Sequence, residues 1–562
     1  MIFSPITERS TRVRVFYAIL YLLLSLGAVT IVMPLLIMLT GSVEPGSRST
    51  ASRFIPTYLF NDNALWERYV IAKYRNTQDF VRMAWGDATI EMSRPKWHSG
   101  EDPMIPLWEE FLKTEKPSED NFYVGFTTSK TGPAYNNYRF QQFLLDNYGN
   151  VEGINKALAT SFARSQSILP PNILISGAEL GRTTLQMEFF RFSETQVPSS
   201  QKFVWDAGGF YRNVFLPRVL GAIDKFNEKY GTQYKSYSEV PFSETVPPVA
   251  SDMWFTFVSR VLRPDFIDLT EQGKAHMAEA KMPKGEFIRM AAKPEDLKVV
   301  SLDRRFINWA KENHGVENAY IPQHALDVKA FKESRGFWKK VFLTQNYSYV
   351  LDAILFEGHA FKNTVVLVIL MVAGALLINP LAAYALSRFK LSKTYYILLF
   401  FMATMAFPAE VTMIPVFLQL KEFNLLNTYG ALVLPSLANG FSIFLLKGFF
   451  DSLPKELYEA AELDGASEWK MFWLIAMNLS KPILAVKALG AFVSAYSAFF
   501  FALILAPDPK MWTIMVYVYQ LQQTVETPVV YASLIITAIP TLLVFIFCQN
   551  IILRGIVVPS EK

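Results

Sequence analysis

The chain has 562 residues, of which 51% are hydrophobic, 15% aromatic and only 19% charged. Soluble proteins carry about 25% charged residues, so this deficit predicts membrane segments rather than one large soluble core. The net charge of +4 is too small over this length to indicate a nucleic-acid-binding protein. The single cysteine, Cys548, excludes a disulfide framework or a cysteine-based metal site within one chain, and we expect neither a metal nor a cofactor.

The first predicted membrane segment follows a basic N-terminus. Arg9, Arg12 and Arg14 precede an uncharged run from Val15 to Val43. A signal peptide has an apolar region of about 7–15 residues, whereas about 20 residues are enough to cross a bilayer. We therefore expect a cytoplasmic N-terminus at residues 1–14 and a retained transmembrane helix at residues 15–43.

A long hydrophilic stretch, residues 44–345, comes next. It is rich in aromatic residues, and proline and charge clusters interrupt it. Its length is sufficient for a hydrophobic core of its own. We predict an inserted domain of mostly helical, α or α+β, structure.

This stretch contains a weak internal repeat with an offset of 72 positions. Seven features between Phe143 and Phe162 recur between Phe215 and Tyr234, including Gly149 as Gly221 and Asn155 as Asn227. Each copy predicts a short helix, a glycine turn and a second helix. A packing motif used twice and a duplicated carbohydrate- or partner-binding unit both remain open.

Residues 346–558 contain five further segments that are long and apolar enough to cross a membrane. They are Asn363–Ser387, Thr394–Leu420 (interrupted by Pro408, Glu410 and Pro415), Tyr429–Leu446, Ala488–Ala506 and Val529–Leu553. With the first segment they predict an all-α polytopic membrane protein with six transmembrane helices.

The distribution of lysine and arginine predicts the topology, because basic residues are concentrated in cytoplasmic loops. Basic residues precede the first segment and follow the second, fourth and sixth: Arg9, Arg12, Arg14, Arg388, Lys390, Lys393, Lys447, Lys455, Lys470, Lys481, Lys487 and Arg554. Both termini and residues 447–487 are then cytoplasmic, and the inserted domain is extracytoplasmic.

The cytoplasmic loop at residues 447–487 contains the most informative motif. Pro454 suits the first turn of a helix, and Gly465 suits a helix C-terminus, where a positive φ is required. Ser467 can cap a second helix. Between these signals, the small residues Ala460 and Ala461 allow close approach of another backbone. We predict a helix, a turn and a second helix, shaped to fit a groove on another protein.

The segment Glu459-Ala460-Ala461 with Asp464-Gly465-Ala466 resembles the EAA loop of importer-type ABC permeases. Flanking sequences agree, among them Ala382–Phe389, Asn427–Tyr429 and Phe441–Leu446. The similarity is greatest to the carbohydrate-uptake subfamily, which includes the maltose permease subunits, and it leaves the large periplasmic insert unexplained.

This resemblance implies six helices in a type I ABC importer arrangement in the bacterial inner membrane. It also implies a second permease subunit, two cytoplasmic ABC ATPases and an extracytoplasmic solute-binding protein as partners, besides membrane lipid. The loop residues Glu459, Ala460, Ala461, Asp464 and Gly465 would couple the permease to the ATPases. The chain itself would be a transport subunit without an ATPase site, not an enzyme.

The expected solute is a sugar or a related small molecule. Ser442, Tyr496 and Ser497 are candidates to line its path, because polar residues inside membrane helices are costly. A serine in such a helix can instead bond its own backbone. Relatives usually have Trp-Asn where Tyr496-Ser497 stand, so the solute can differ from a typical oligosaccharide.

Two other functions remain open from the sequence. One is a membrane-anchored glycan-active enzyme, which would need two carboxylates about 5–10 Å apart in an aromatic cleft of the insert. The other is a solute sensor whose helices no longer transport. The sequence contains no G-x-x-x-x-G-K-[ST] phosphate-binding loop, so ATP-driven transport would require ATPases on other chains.

Overall fold

The computed structural model describes residues 11–44, 56–92, 94–95, 100–128, 132–171, 183–389, 393–404 and 408–555. Residues 1–10 of the predicted cytoplasmic N-terminus and residues 556–558 of the predicted permease core lie outside this range. The chain forms two compact units. We call Met1–Ser42 with Tyr347–Lys562 the core unit, and Val43–Asn346 the insert unit.

The insert unit is mainly helical. Its α-helices are Asp62–Lys73, Gln78–Trp85, Met104–Glu115, Tyr135–Tyr148, Val151–Leu158, Thr184–Gln196, Ala207–Phe210, Leu216–Leu220, Ile223–Tyr230, Ser251–Arg260, Glu271–Ala280, Lys284–Met290, Leu302–His314 and the start of Gln323–Leu351. A π-helical turn, Tyr211–Phe215, joins two of them. Single 3-10 turns lie at Thr57–Leu59, Glu119–Asn121, Ser165–Ser167, Ser199–Gln201, Tyr237–Glu239, Pro264–Phe266 and Pro294–Asp296.

Four short strands of the insert unit form two antiparallel pairs. Strand β1 (Phe122–Val124) pairs with β2 (Lys202–Val204), and β3 (Ile267–Leu269) pairs with β4 (Leu297–Val299). A 3-10 turn comes directly before each strand. The same local unit, a turn followed by a three-residue strand, is therefore used four times in the described part of the insert.

Aromatic side chains dominate the core of the insert unit. Trp66, Tyr69 and Trp338 are buried, and the Trp338 ring stacks on Phe126 with centroids 3.9 Å apart. Aromatic residues bury large areas and favour stacked or edge-on pairs. Such a core holds the unit together without disulfides.

The core unit is built almost entirely from helices. Its α-helices are Thr11–Gly41, the end of Gln323–Leu351, Ala360–Arg388, Thr394–Thr404, Ala409–Glu422, Tyr429–Val433, Gly440–Asp451, Lys455–Leu463, Glu468–Met471, Met477–Leu479, Lys481–Tyr496, Phe500–Leu505, Ile514–Gln522 and Thr527–Gly555. The π-helical turns are Asp352–Glu357 and Phe472–Ala476, and the 3-10 turns are Leu434–Ser436 and Pro509–Met511.

Among the described residues, three helices are long and apolar enough to cross a membrane: Val15–Gly41, Ala360–Arg388 and Thr527–Asn550. Two bent helix pairs raise this number to five if each pair is one span. Apolar side chains of Val15–Gly41 point outward, with Ile31 79% exposed. Such a surface suits lipid rather than water.

The first bent pair lies where the sequence predicts the single helix Tyr429–Leu446, whereas the break of the second pair lies within the predicted loop at residues 447–487. Tyr429–Ser436 and Gly440–Asp451 meet at 48°, and Glu468–Leu479 meets Lys481–Tyr496 at 83°. The first break has Pro435 before it and Asn439 as the cap of the new helix. At the second, Pro482 lies in the first turn of the new helix, where it has no N–H to donate. The predicted fifth segment is also interrupted between Tyr496 and Phe500.

Candidate functional site

The exposed loop at residues 447–487 has the predicted local geometry. A helix runs from Lys455 to Leu463, directly after Pro454. Gly465 has φ +75°, and the Ser467 side chain accepts a hydrogen bond from the Lys470 amide at the start of the next helix. The Ala466 amide donates to the Ala461 carbonyl at 2.9 Å. We call helix Lys455–Leu463, the turn at Gly465 and helix Glu468–Met471 the elbow, and the two helices its first and second arms.

Four of the five predicted coupling residues lie on the outer, exposed side of the elbow. Glu459, Ala460, Asp464 and Gly465 are exposed, whereas Ala461 is half-buried. Leu463, next to them, is 90% exposed. The exposed side of the elbow thus presents one large apolar side chain, small residues and two carboxylates.

Two residues of helix Ala360–Arg388 hold the inner side of the elbow. The Arg388 guanidinium forms ion pairs with Glu462 in the first arm and with Glu468 in the second. The Tyr384 hydroxyl donates to Glu468 at 2.7 Å. The Tyr458 ring packs under Arg388, with 5.2 Å between the guanidinium carbon and the ring centroid.

The charge state of Tyr458 is consistent with this packing. Burial raises the pKa of its hydroxyl, and the positive charge of Arg388 opposes this effect only in part. The ring is therefore neutral at physiological pH. In the sequence, Arg388 is a topology signal and part of the Ala382–Phe389 resemblance. Its spacing of four from Tyr384 places both residues on one helix face and is the local clue to their shared role.

Ser442 lies just after the first helix break. Its amide donates to the Asn439 side chain at 2.8 Å. Its hydroxyl accepts from the Lys487 ammonium at 3.2 Å, and this ammonium also lies 4.7 Å from the Phe441 ring centroid. Lys487, counted in the sequence only as a loop cation, is therefore a neighbour of a predicted path residue.

Tyr496 is the last residue of helix Lys481–Tyr496, and Ser497 follows it directly. Tyr496 is 7% exposed, stacks on Phe492, and donates its hydroxyl to the Thr537 carbonyl at 2.7 Å. Ser497 is exposed, and its hydroxyl donates to the Val493 carbonyl at 2.6 Å. Ser497 thus makes the bond to its own backbone that was the alternative interpretation. The structure does not bring these two residues together with Ser442.

The internal repeat of the insert unit has a structural cause. Asn155 accepts hydrogen bonds from the Thr160 hydroxyl (2.9 Å) and the Phe162 amide (2.8 Å), and donates to the Phe162 carbonyl (2.9 Å). Asn227 makes the same three bonds to Thr232 and Tyr234, at 2.7, 3.0 and 2.8 Å. Each asparagine therefore fixes the turn after its helix, which favours the packing interpretation.

A cleft of about 310 Å³ opens on the insert unit. Trp108 lies in its apolar wall, and its polar lining includes two ion pairs, Lys202 with Glu119 (2.7 Å) and Lys329 with Glu109 (3.8 Å). Both carboxylates thus face a lysine. This arrangement suits ion pairing better than the proton donation that glycoside hydrolysis requires.

A second carboxylate pair is located where the polypeptide enters helix Ala207–Phe210. Asp303 accepts from the amides of Ala207 and Gly208, both at 3.2 Å, and Asp206 accepts from the Gly209 amide at 2.6 Å. Burial, then the charge of Asp303, raises the pKa of Asp206 to about 7, against the effect of Arg212. Asp303 is 4% exposed, so this pair stabilises a buried helix start.

The described residues contain no group of three or more His, Cys, Asp or Glu side chains arranged to hold a metal ion.

Comparison with known proteins links the core unit to a transport family. The family model described as "Binding-protein-dependent transport system inner membrane component" matches residues 359–558. The chain is 30% identical over 199 residues to the diacetylchitobiose uptake system permease protein NgcG of Streptomyces coelicolor, covering 34% of this chain and 66% of that protein. It is 32% identical over 255 residues to the sn-glycerol-3-phosphate transport system permease protein UgpE of Yersinia pestis, covering 43% of this chain and 90% of that relative.

Among solved structures, a bacterial ABC transporter involved in the import of the acidic polysaccharide alginate matches at 26% identity. The match covers 36% of this chain and 78% of that chain, with a TM-score of 0.34. This superposition is too loose to support further comparison. The sequence match to UgpE over nine-tenths of that relative is decisive: the chain belongs to the family of binding-protein-dependent transport system inner membrane components, the permease subunits of ABC importers.

Proposed function

We propose that the chain is one of two permease subunits of an ATP-driven importer, and that the elbow couples it to cytoplasmic ATPases. The observation that carries this proposal is that one side of the elbow is exposed and the other is bonded to a long apolar helix. Glu459, Ala460 and Gly465 are exposed on its outer side, while Arg388 and Tyr384 fix its inner side to a membrane-spanning helix. A helix so held can transmit the movement of a bound motor to the membrane segments.

The proposal includes six transmembrane helices. Three long helices and two bent pairs account for five. The sixth combines Thr394–Thr404 with Ala409–Glu422, two helices separated by only four residues. The basic residues at the ends of these segments support cytoplasmic termini, a cytoplasmic elbow and an extracytoplasmic insert unit.

The proposed partners are a second permease, two ABC ATPases and an extracytoplasmic binding protein. The exposed Leu463 and the small surface at Ala460 suit insertion into a groove of an ATPase. The insert unit, with its separate aromatic core, would dock the binding protein, the partner permease or the solute.

The proposed solute is a sugar or a related polar molecule. This is supported by the two relatives NgcG and UgpE, which are named for uptake of diacetylchitobiose and transport of sn-glycerol-3-phosphate. Ser442, Tyr496 and Ser497 remain the candidate path residues. Because the hydroxyl of Tyr496 is engaged by Thr537, Ser442 with its neighbour Lys487 is the better candidate for solute contact. A cation there would suit an anionic or strongly hydrogen-bonding solute.

The decisive experiment is co-purification of the full chain with candidate ATPases and binding proteins, followed by measurement of ATP hydrolysis with and without solute. We expect a stable assembly whose hydrolysis rises when a sugar-loaded binding protein is added. Failure to retain any ATPase would contradict the proposal. Signalling output without uptake would favour the sensor, and hydrolysis of a glycan by the chain alone would favour the enzyme.

A further inference from the structure

Polar side chains at three positions along helix Ala360–Arg388 form ion pairs or hydrogen bonds with other elements. Arg388 lies at its last turn, Asn379 nine residues earlier and Asn363 in its first turn. At 1.5 Å per residue, Arg388 and Asn379 are about 13 Å apart along the axis, and Arg388 and Asn363 about 37 Å. These three residues connect the elbow, a helix break and a distant loop.

The chain that continues after the elbow is poorly suited to transmit movement. It passes through the π-helical turn Phe472–Ala476 and then bends by 83° at Ser480. A route along this part of the chain therefore follows no single straight helix. The ion pairs of Arg388 provide a different route, because they join both arms of the elbow to a helix that runs without interruption over 29 residues, through Pro380.

Asn379 connects this helix to the first break. Its side-chain oxygen accepts from the Asn439 amide at 2.8 Å, and its side-chain nitrogen donates to the Ala375 carbonyl at 3.3 Å. Asn439 in turn caps helix Gly440–Asp451 through the Ser442 amide. Asn379 is 2% exposed, and Asn379→Ala would remove the acceptor of the Asn439 amide.

Asn363 holds the opposite end. Its side-chain nitrogen donates to the carbonyls of Lys510 (2.8 Å) and Trp512 (3.0 Å), and its oxygen accepts from the Tyr429 hydroxyl (2.7 Å). Tyr429 begins the other half of the bent pair that Asn439 interrupts. Both halves of that pair are therefore bonded to helix Ala360–Arg388, one through Asn363 and one through Asn379.

We propose that helix Ala360–Arg388 carries displacement of the elbow, received through Arg388, to the 48° break beside Ser442, delivered through Asn379. The inference rests on the proposed coupling function. Arg388 and Asn379 are positioning residues: they act through the geometry of the break at which the candidate path residue Ser442 lies.

The test uses the full chain assembled with its ATPases and binding protein, and the variants Arg388→Gln, Arg388→Lys, Asn379→Ala and Arg388→Gln/Asn379→Ala. The controls are Lys393→Gln, an exposed cation five positions after Arg388, and Asn478→Ala, an exposed asparagine whose side chain donates to the Leu474 carbonyl four positions earlier. The measurements are the amount of co-purified ATPase, solute-stimulated hydrolysis, and solute imported per ATP hydrolysed.

We expect Arg388→Gln and Asn379→Ala each to lower the solute imported per ATP by about tenfold while retaining the ATPases. The double variant should be little worse than either single variant, because both residues act in series. Arg388→Lys should lose less, since one cation still pairs with one carboxylate. The two controls should behave as wild type.

Three outcomes would overturn the inference: import per ATP within twofold of wild type in both single variants, multiplicative losses in the double variant, or loss of the ATPases from Arg388→Gln together with Arg388→Lys. The last outcome would assign Arg388 a purely structural role. If the wild-type assembly itself shows no solute-stimulated hydrolysis, the proposed function fails instead, so the two failures are distinguishable.

Discussion

The hydroxyl oxygens of Ser42 and Tyr347 lie 2.6 Å apart although 305 positions separate them in the sequence. Ser42 is the last residue of the core unit before the insert, and Tyr347 is the first residue after it. The two points at which the chain leaves the core unit and returns to it are therefore hydrogen-bonded to each other. Insertions at such closely spaced points disturb the host fold least.

This closure predicts that the core unit survives removal of the insert. Replacing residues 43–346 by a short Gly-Ser linker should give a chain that enters the membrane and retains the ATPases, because the aromatic core of the insert lies within the insert itself. Uptake should be strongly reduced, since the proposed docking domain is missing. Membrane fractionation, co-purification and solute uptake measure these properties. Full uptake would show that the insert is dispensable for transport.

Substitution of Gly465 should uncouple transport. The residue has φ +75°, and open space surrounds the position of a Cβ atom, so Gly465→Asp adds backbone strain of about 1 kcal/mol and a negative charge on the docking surface. We expect normal membrane insertion and uptake reduced by at least about tenfold. Gly465→Asn is the matched control, because asparagine tolerates the same backbone and lacks the charge; it should retain more uptake. Normal uptake by Gly465→Asp would count against the coupling role.

The two asparagine turns of the insert should be important for stability. Asn227→Ala and Asn155→Ala each remove three hydrogen bonds, and each should destabilise the insert by about 1–3 kcal/mol. Asn147→Ala removes two exposed bonds, one to the Phe143 carbonyl of its own helix and one from the Arg191 guanidinium, and should have a smaller effect. Hydrogen exchange of the full chain, followed in peptides from residues 150–165 and 222–237, measures the effect. Unchanged exchange with weakened saccharide binding would instead support the binding-unit interpretation.

The stability of the insert unit should fall as the pH rises through neutrality. Burial, reinforced by Asp303, raises the pKa of Asp206 to about 7 from its ordinary 3.8. The folded state therefore binds this proton more tightly, so the contribution is greatest below about pH 4 and is lost as the pH rises through about 7.

Asp206→Asn should flatten this dependence, because asparagine still accepts the Gly209 amide bond without titrating. Hydrogen exchange of residues 202–215 between pH 5 and 8, corrected for intrinsic exchange, measures the change. The exposed Asp224→Asn is the control and should keep the wild-type slope. An unchanged slope in Asp206→Asn would remove Asp206 as its source.

The elbow and the long membrane helices were predictable because their signals are local. A run of about 20 apolar residues determines a span by its length. Pro454, Gly465 and Ser467 act through the backbone within one turn of themselves, and the φ of Gly465 and the cap at Ser467 match the prediction. The functional roles of Glu459, Ala460, Ala461 and Asp464 are untested by this geometry and remain predictions.

The helix breaks were not predictable to the same extent. Pro435 and Pro482 signal a disturbance, but a proline can kink, end or start a helix, and only neighbouring contacts decide which. Pro380 lies inside a continuous helix, whereas the turn at Ser436 ends soon after Pro435 and Asn439, whose amide donates to Asn379, caps the helix that follows. The position of a polar partner in another segment thus decides between these outcomes.

The sequence alone determined the membrane character of the chain, the presence of a large insert and the local shape of the elbow, because each depends on composition or on residues a few positions apart. The tertiary structure decided that Arg388 joins both arms of the elbow, that the hydroxyl of Tyr496 is bonded to Thr537, and that Ser42 meets Tyr347. These contacts join residues from about 40 to 300 positions apart, and a single sequence contains no periodicity or spacing from which such pairs can be inferred.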